Sequence, residues 1–489
     1  MPPTARSTAL ALLVALPWLW PLTSGPMAAM LPYLVSAGLA ALLLGLWPTR
    51  AADGALPAAA GWLLAARLSA VIAWLQYFDL EARFYPWINI AEPGQAFGNL
   101  RQPNQLASLL AVGLLALRWL AAERGWRAFA VVAWAGVLVS ALAATASRVG
   151  LAELLLLGLL AWLWRPAGRS RYRALGVGLT VLAVYLLAAL ALPELLAQRG
   201  GGAGRDLVDR LQHAESTCGS RLILWRNVLH LIALKPWAGW GWGELDYAHY
   251  MTLYDGPRFC HILDNAHNLP LHLAVELGVP VALLACALAA ALIWQGQPWR
   301  ERQPTRQLAW GVLAVIGVHS LVEYPLWYGP FQIAALISLA LLWATRPDAA
   351  PWGASATGRR TLAVGLLATV GYVAWDYHRV SQIYLPLAER AAPYQDDALA
   401  QARRSWVFQD VVRFAELTTH PVTPENAAWM LAAAQQSLHF SPEPRVVTRL
   451  IDSAALLGHQ DIAEAQRARL RAAFPQEYAQ WLADSGRAD

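Results

Sequence analysis

Leu- and Ala-rich runs of about 20 residues recur along the first 376 positions of the chain, and no other feature limits its fold as strongly. As helices, such runs cross a hydrocarbon core of about 30 Å. The alternating ten-residue segments of a transmembrane barrel are absent. The chain is 57% hydrophobic and 14% charged, whereas an ordinary soluble domain carries about 25% charged residues. This composition excludes a cytosolic enzyme and a disordered chain. The sequence reads as all-α, a polytopic transmembrane helical bundle.

Hydropathy places about eleven spans near 8–22, 27–48, 55–76, 104–122, 128–146, 148–164, 174–192, 269–294, 307–322, 331–345 and 361–376. The N-terminal apolar run resembles a signal peptide but continues without a cleavage site, so it is expected to stay as the first helix. Arg6, Arg50, Arg118, Arg124, Arg127, Arg165, Arg169, Arg171, Arg173, Arg300, Arg302, Arg306, Arg346, Arg359 and Arg360 fall on alternate connections. The positive-inside rule puts these on the cytoplasmic face. The opposite face then carries 77–103, the long 193–268, 323–330 and the tail. Four regions follow: transmembrane helices over 1–192, a large outer loop with an amphipathic helix over 193–268, transmembrane helices over 269–376, and a soluble helical tail over 377–489. In that tail Ala427 to Leu438 and Ile462 to Phe474 have apolar residues at helical spacing. The net charge of +5 comes from arginines spread over these loops and does not suggest nucleic-acid binding.

Polar residues at the edge of a membrane are costly and point to function. Here they gather on the outer face. Asn99, Arg101, Gln102, Asn104 and Gln105 stand at the mouth of the fourth span. Ser147-Arg148 fills the short turn between spans five and six, where Arg148 is either an anion ligand or a snorkelling anchor. The long loop holds a flexible Gly200-Gly201-Gly202 stretch and then Ser220-Arg221, which opens an amphipathic segment running to Lys235. That segment has Arg226, Asn227 and His230 on one face and Leu222, Trp225, Leu229 and Ile232 on another, as an interfacial helix does. Trp237, Trp240 and Trp242 follow between glycines and read as an interfacial belt rather than a ligand platform.

The loop ends Asp264-Asn265-Ala266-His267-Asn268. Asn268, His272 and Glu276 then form a polar stripe in span eight, with Gly278 and Pro280 expected to bend it. His267, at the membrane edge beside Asp264, suits a general base. A second group, His319, Glu323, Tyr324, Trp327 and Tyr328, stands at the exit of span nine. No Asp-x-Asp pair and no metal-ligand spacing of His and Cys accompanies them. A base, two cations, amides and aromatic walls on one face indicate a metal-free reaction of an anionic, lipid-linked substrate, with no cofactor.

Asp264-Asn265-Ala266-His267-Asn268 followed by Glu276-Leu277-Gly278 resembles the signature of the O-antigen ligase superfamily. Further segments resemble its bacterial pilin and protein O-oligosaccharyltransferase branch. These are Phe97-Gly98-Asn99 with Gln102-Pro103-Asn104, Ser147-Arg148-x-Gly150, Ser220-Arg221-Leu222 with Trp225, Gly239 to Gly243, Glu323 to Tyr328, and Asp376-Tyr377 through Tyr384. The resemblance covers residues 75–390 and implies a donor glycan on undecaprenyl diphosphate at the periplasmic leaflet of the inner membrane. The acceptor hydroxyl belongs to a pilin or other protein, or to lipid A-core or a growing glycan if the chain is a ligase or polymerase of the same superfamily. His267 is then the base, oriented by Asp264 or Asn268. Arg148 and Arg221 hold the diphosphate, because a planar guanidinium binds phosphate oxygens bidentately. Asn99, Arg101, Gln102, Asn104, Glu276, Glu323, Tyr324, Trp327 and Tyr384 are candidates for glycan or acceptor contact, and the tail for holding a protein acceptor. Outside the superfamily, a lipid-linked glycan flippase also has many spans, but it would concentrate its charges in a central cavity.

Cys218 and Cys260 lie 42 residues apart in the same outer loop, whereas Cys286 is inside span eight. An oxidising periplasm favours a bridge between the first two. Two unpaired thiols are the alternative, since spacing does not determine geometry.

Overall fold

The computed structural model describes residues 3–48, 50–165, 170–199, 218–346 and 355–485. Among them every regular element is helical. Arg169 and the Gly200-Gly201-Gly202 stretch lie outside the described residues. The chain divides into two compact units: Met1–Thr23, Ala28–His213 and Ala291–Gly371 form one, and Ser24–Met27, Ala214–Ala290 and Tyr372–Asp489 the other.

The first unit contains α1 (Pro3–Leu19), α2 (Met30–Leu46), α3 (Ala55–Tyr77), α4 (Pro103–Arg124), α5 (Ala128–Ala144), α6 (Arg148–Leu163), α7 (Arg171–Ala197), α8 (Pro304–Ser320) and α9 (Gly329–Ala344). Helix α4 is its axis, packed by α3, α5, α6 and α8. Ala58, Ala59, Ala65, Ala66 and Ala70 of α3 are fully buried, as small residues are where apolar helices approach closely. Helix α7 instead leaves Leu175, Leu179, Leu187 and Leu190 exposed, a surface suited to hydrocarbon rather than water. The segments Ala52–Tyr77, Pro103–Arg124, Leu175–Ala197 and Val279–Arg300 are long and apolar enough to cross a membrane. Ala5–Leu19, Met30–Leu46, Ala128–Ala144 and Gly329–Ala344 are apolar but shorter.

The run expected as one span over 269–294 is two helices, α10 (Leu269–Leu277) and α11 (Val279–Gly296). The chain breaks at Gly278, with φ 90° and ψ 158°. Neighbouring backbone causes the break. Trp240 and Gly241 donate to the carbonyls of Val275 and Glu276 (both 2.9 Å), and Val279 donates to Pro236 (2.8 Å). A Cβ on Gly278 would lie 2.2 Å from the Trp237 oxygen, and one on Gly239 2.3 Å from the Glu276 oxygen. Both glycines are needed for this approach.

The second unit is built on two cores. One joins Leu224, Val228 and Leu231 of α12 (Arg221–Leu234), Leu245 and Ala248 of α13 (Leu245–Met251), Phe259, Leu263, Ala266 and Val275. The other joins tail helices α14 (Gln409–Thr419), α15 (Ala427–Ser437), α16 (Pro444–Leu456) and α17 (Gln460–Ala473) through Phe414, Met430, Val447, Leu450 and Leu470. Helix α13 belongs to both cores, because Tyr250 packs among the tail residues. Its hydroxyl donates to Gln466 Oε1 at 2.7 Å. Arg469 donates to the Met251 carbonyl (3.1 Å), and His439 pairs with Glu244 (2.7 Å).

The amphipathic reading of α12 needs one correction. Asn227, placed with the polar face, is buried beside Leu224 and Val228. It accepts from Phe259 N (2.8 Å) and donates to the Pro257 carbonyl (3.1 Å), so both its oxygen and its nitrogen find partners in the interior. Leu222 and Leu229 face outward.

Candidate functional site

Ser147 and Ser220 do the same local work in different units. Each caps a helix: Ser147 Oγ accepts from Gly150 N (3.0 Å), and Ser220 Oγ from Ile223 N (3.3 Å). The residue after each serine is the first of its helix, Arg148 of α6 and Arg221 of α12. Each Ser-Arg pair thus sets a guanidinium beside a positive helix terminus, a combination suited to an anion. Arg148 is the one exposed residue between 141 and 150.

In the second unit, the segment before α10 is a built turn. Asn265 is buried and its Oδ1 accepts from His267 N (2.9 Å). His267 is half-buried with φ 49°, a left-handed conformation uncommon for a residue with a side chain. Asn268 Oδ1 accepts from Leu271 N (3.0 Å) and caps α10. Asp264 is exposed. His272 and Glu276 are a buried pair, Nε2 to Oε2 3.3 Å, with the edge of the exposed Trp242 ring against His272. Trp240 is anchored by its Nε1 bond to the Leu231 carbonyl (3.0 Å) and covered by Lys235, while Trp237 is exposed. Cys218 and Cys260 are bonded, Cα to Cα 5.3 Å. Tyr384 stands exposed at the end of a helical turn, Gln382–Tyr384.

Two ionisable groups of this unit escaped the sequence reading. Burial pushes the Asp246 carboxyl up to about 7, against a bond from Tyr247 N and with Glu244 and Asp264 adding to the rise. Burial pushes His249 down to about 3, aided by Arg258. Neutral His249 donates from Nε2 to the Phe259 carbonyl (3.1 Å) and accepts at Nδ1 from Tyr254 (2.8 Å). Neither carries a sequence signal, since both depend on distant packing.

In the first unit, the 77–103 connection is clamped from within. Asn99 is buried, donating to the Leu19 (2.8 Å) and Trp87 (3.0 Å) carbonyls and accepting from Asn89 N (3.2 Å). Gln76, which sequence reasoning missed, accepts from Gly98 N (2.7 Å) and Phe97 N (3.1 Å). Arg101 is exposed and donates to the Pro21 carbonyl and to Asn89. Gln102 and Asn104 flank Pro103 at the start of α4. Asn104 meets Glu323, and one turn on, Ser108 meets both Glu153 and His319 (Nδ1 at 2.8 Å). Tyr324 stacks with Tyr328, and Trp327 is half-buried beside them. Among the described residues, no three His, Cys, Asp or Glu side chains gather as a metal site requires.

These segments coincide with regions shared with known families. Residues 96–121 match a family described as protein glycosylation ligase, 133–286 one described as O-antigen ligase, and 307–487 the C-terminal part of a virulence factor membrane-bound polymerase. A general O-oligosaccharyltransferase of Acinetobacter baylyi is 25% identical over 291 residues, 58% of this chain and 50% of that protein. A ComP-specific O-oligosaccharyltransferase of the same organism is 23% identical over 272 residues, 56% of this chain and 48% of that protein. The chain spans about half the length of these curated relatives.

Proposed function

Because the chain belongs to the O-antigen ligase superfamily and is similar there to protein O-oligosaccharyltransferases, we propose that it moves a glycan from undecaprenyl diphosphate to a protein hydroxyl. It works in this reading as a protein of the bacterial inner membrane, crossing it about eleven times with its reacting face in the periplasm. The observation that carries the proposal is the paired Ser-Arg motif, with Arg148 and Arg221 each at the first residue of a serine-capped helix.

His267 takes the proton of a Ser or Thr hydroxyl of a pilin or other protein as its oxygen attacks the anomeric carbon. The bond from that carbon to the phosphate oxygen breaks on the opposite face, giving inversion, and its electrons leave with the lipid diphosphate. Arg148 and Arg221 take up that charge by forked hydrogen bonds, the electrostatic contribution that governs such a step. Asp264 and Asn268 flank the base, and Asn268 holds the turn by capping α10. Of the residues expected to contact glycan or acceptor, Arg101, Gln102, Tyr324, Trp327 and Tyr384 remain the candidates. Asn99, Asn104, Glu276 and Glu323 are engaged inside the protein, Asn99 with the Leu19 and Trp87 carbonyls, Asn104 with Glu323, and Glu276 with His272. Lipid A-core ligation and O-antigen polymerisation differ only in acceptor.

The test uses purified full-length chain, undecaprenyl-diphosphate glycan, and pilin or lipid A-core, with product read by intact mass. Glycosylated pilin is expected. Transfer to lipid A-core alone, or elongation of the donor alone, would replace the proposed acceptor, and no transfer with any acceptor would overturn the proposal.

A further inference from the structure

Glu323 is 3% exposed, and Asn104 stands against it. Asn104 Nδ2 donates to Glu323 Oε1 (3.1 Å), while its Oδ1 accepts from Ser147 Oγ (2.7 Å). Ser147 Oγ accepts in turn from Gly150 N (3.0 Å). These three bonds all run in one direction, toward Glu323. Glu323 Oε1 accepts here and so orients the amide, and the amide orients the serine that caps α6. The turn so held is strained: Ala146 has φ 47°, which costs an L-residue about 1–2 kcal/mol. It is also tight, since a Cβ on Gly150 would lie 2.8 Å from that of Ala107. Arg148 is the exposed residue this turn presents.

We propose that Asn104 and Glu323 are positioning residues for Arg148, acting through Ser147 to hold the first turn of α6 where its guanidinium meets the leaving diphosphate. This rests on the reading above that Arg148 binds that diphosphate. Asn104→Asp keeps the shape but sets two carboxylates face to face. Glu323→Gln added to it restores a donor, so the 104–323 bond forms again with its direction reversed, while Ser147 still donates to residue 104.

The experiment measures donor and acceptor KM, and binding of undecaprenyl diphosphate, for the purified full-length chain. Asn104→Asp is expected to raise donor KM about tenfold, the loss of one buried directional hydrogen bond, and to leave acceptor KM unchanged. Adding Glu323→Gln returns donor KM to within about threefold, and in an Arg148→Ala background Asn104→Asp adds less than about twofold, because sites acting through one group are not additive. An equal loss in the Arg148→Ala background, or equal changes in both KM values, overturns the inference. If Arg148→Ala leaves lipid-diphosphate binding unchanged, the diphosphate reading fails instead, and the inference with it. Should Asn104→Asp not fold, Ser147→Ala removes the next link, its bonds to Asn104 and Gly150, and is measured alone and in the Arg148→Ala background with the same expectation.

Discussion

The indole Nε1–H of Trp225 donates to the carbonyl of Ala266 across 3.0 Å. The bond ties α12, which opens with Arg221, to the residue before His267. The Cys218–Cys260 bridge joins the same two segments. A candidate anion-binding terminus and a candidate base are thereby held on one support.

The bridge closes a 42-residue separation, which in the chain-entropy picture removes on the order of 3–4 kcal/mol from the unfolded state. A non-reduced digest should yield the linked peptide pair, and Cys218→Ser with Cys260→Ser should lower the melting temperature. Alkylatable thiols at both positions in protein from oxidatively competent cells would show the bridge to be absent.

His267 sits in the left-handed region, which Asn tolerates better than most residues. His267→Asn should therefore fold normally and lose transfer, as should His267→Ala with some loss of stability. More than a few per cent of wild-type turnover in a folded His267→Asn protein would make this histidine structural.

Arg148→Lys and Arg221→Lys preserve charge but not the forked contact. Each should lower kcat/KM for the donor by about tenfold or more, the free energy of one charge-assisted bond. Wild-type activity should survive EDTA, and a chelator-sensitive, magnesium-rescued activity would contradict the assignment of the leaving charge to these arginines.

Asp246 has its carboxyl raised by burial from 3.8 to about 7. A raised folded value means that its stabilising contribution is complete below about 3.8 and is lost as pH rises through about 7. Asp246→Asn should melt increasingly above wild type from pH 4 to pH 7, then by a constant margin. A pH-independent difference across that window would refute the buried-acid assignment.

Gly278→Ala should disrupt the chain break between α10 and α11, since its Cβ would lie 2.2 Å from the Trp237 oxygen with φ at 90°. Lower melting temperature together with lost transfer is expected, whereas Gly256→Ala, with nothing near its Cβ, should change neither. A Gly278→Ala protein of wild-type stability would show that the two backbones can separate freely.

Helices were legible in the sequence because hydrophobic periodicity is local. An apolar run dictates a helix in any apolar surrounding, and the sequence placed helix starts at Arg148 and Ser220-Arg221, whereas the structure showed that the two serines cap them. Local chemistry likewise marked Asp264 to Asn268 as a site. Packing decided what each polar group does. Asn104 meets Glu323 across 219 positions, and Tyr250 meets Gln466 across 216. Asn227 turned inward because Phe259 and Pro257 offered its amide partners. The apolar run over 269–294 became two helices because the 236–241 backbone bonded to the carbonyls of Val275 and Glu276, leaving room only for Gly278. Such pairings depend on which surfaces meet after the helices pack, and no window of sequence contains both partners.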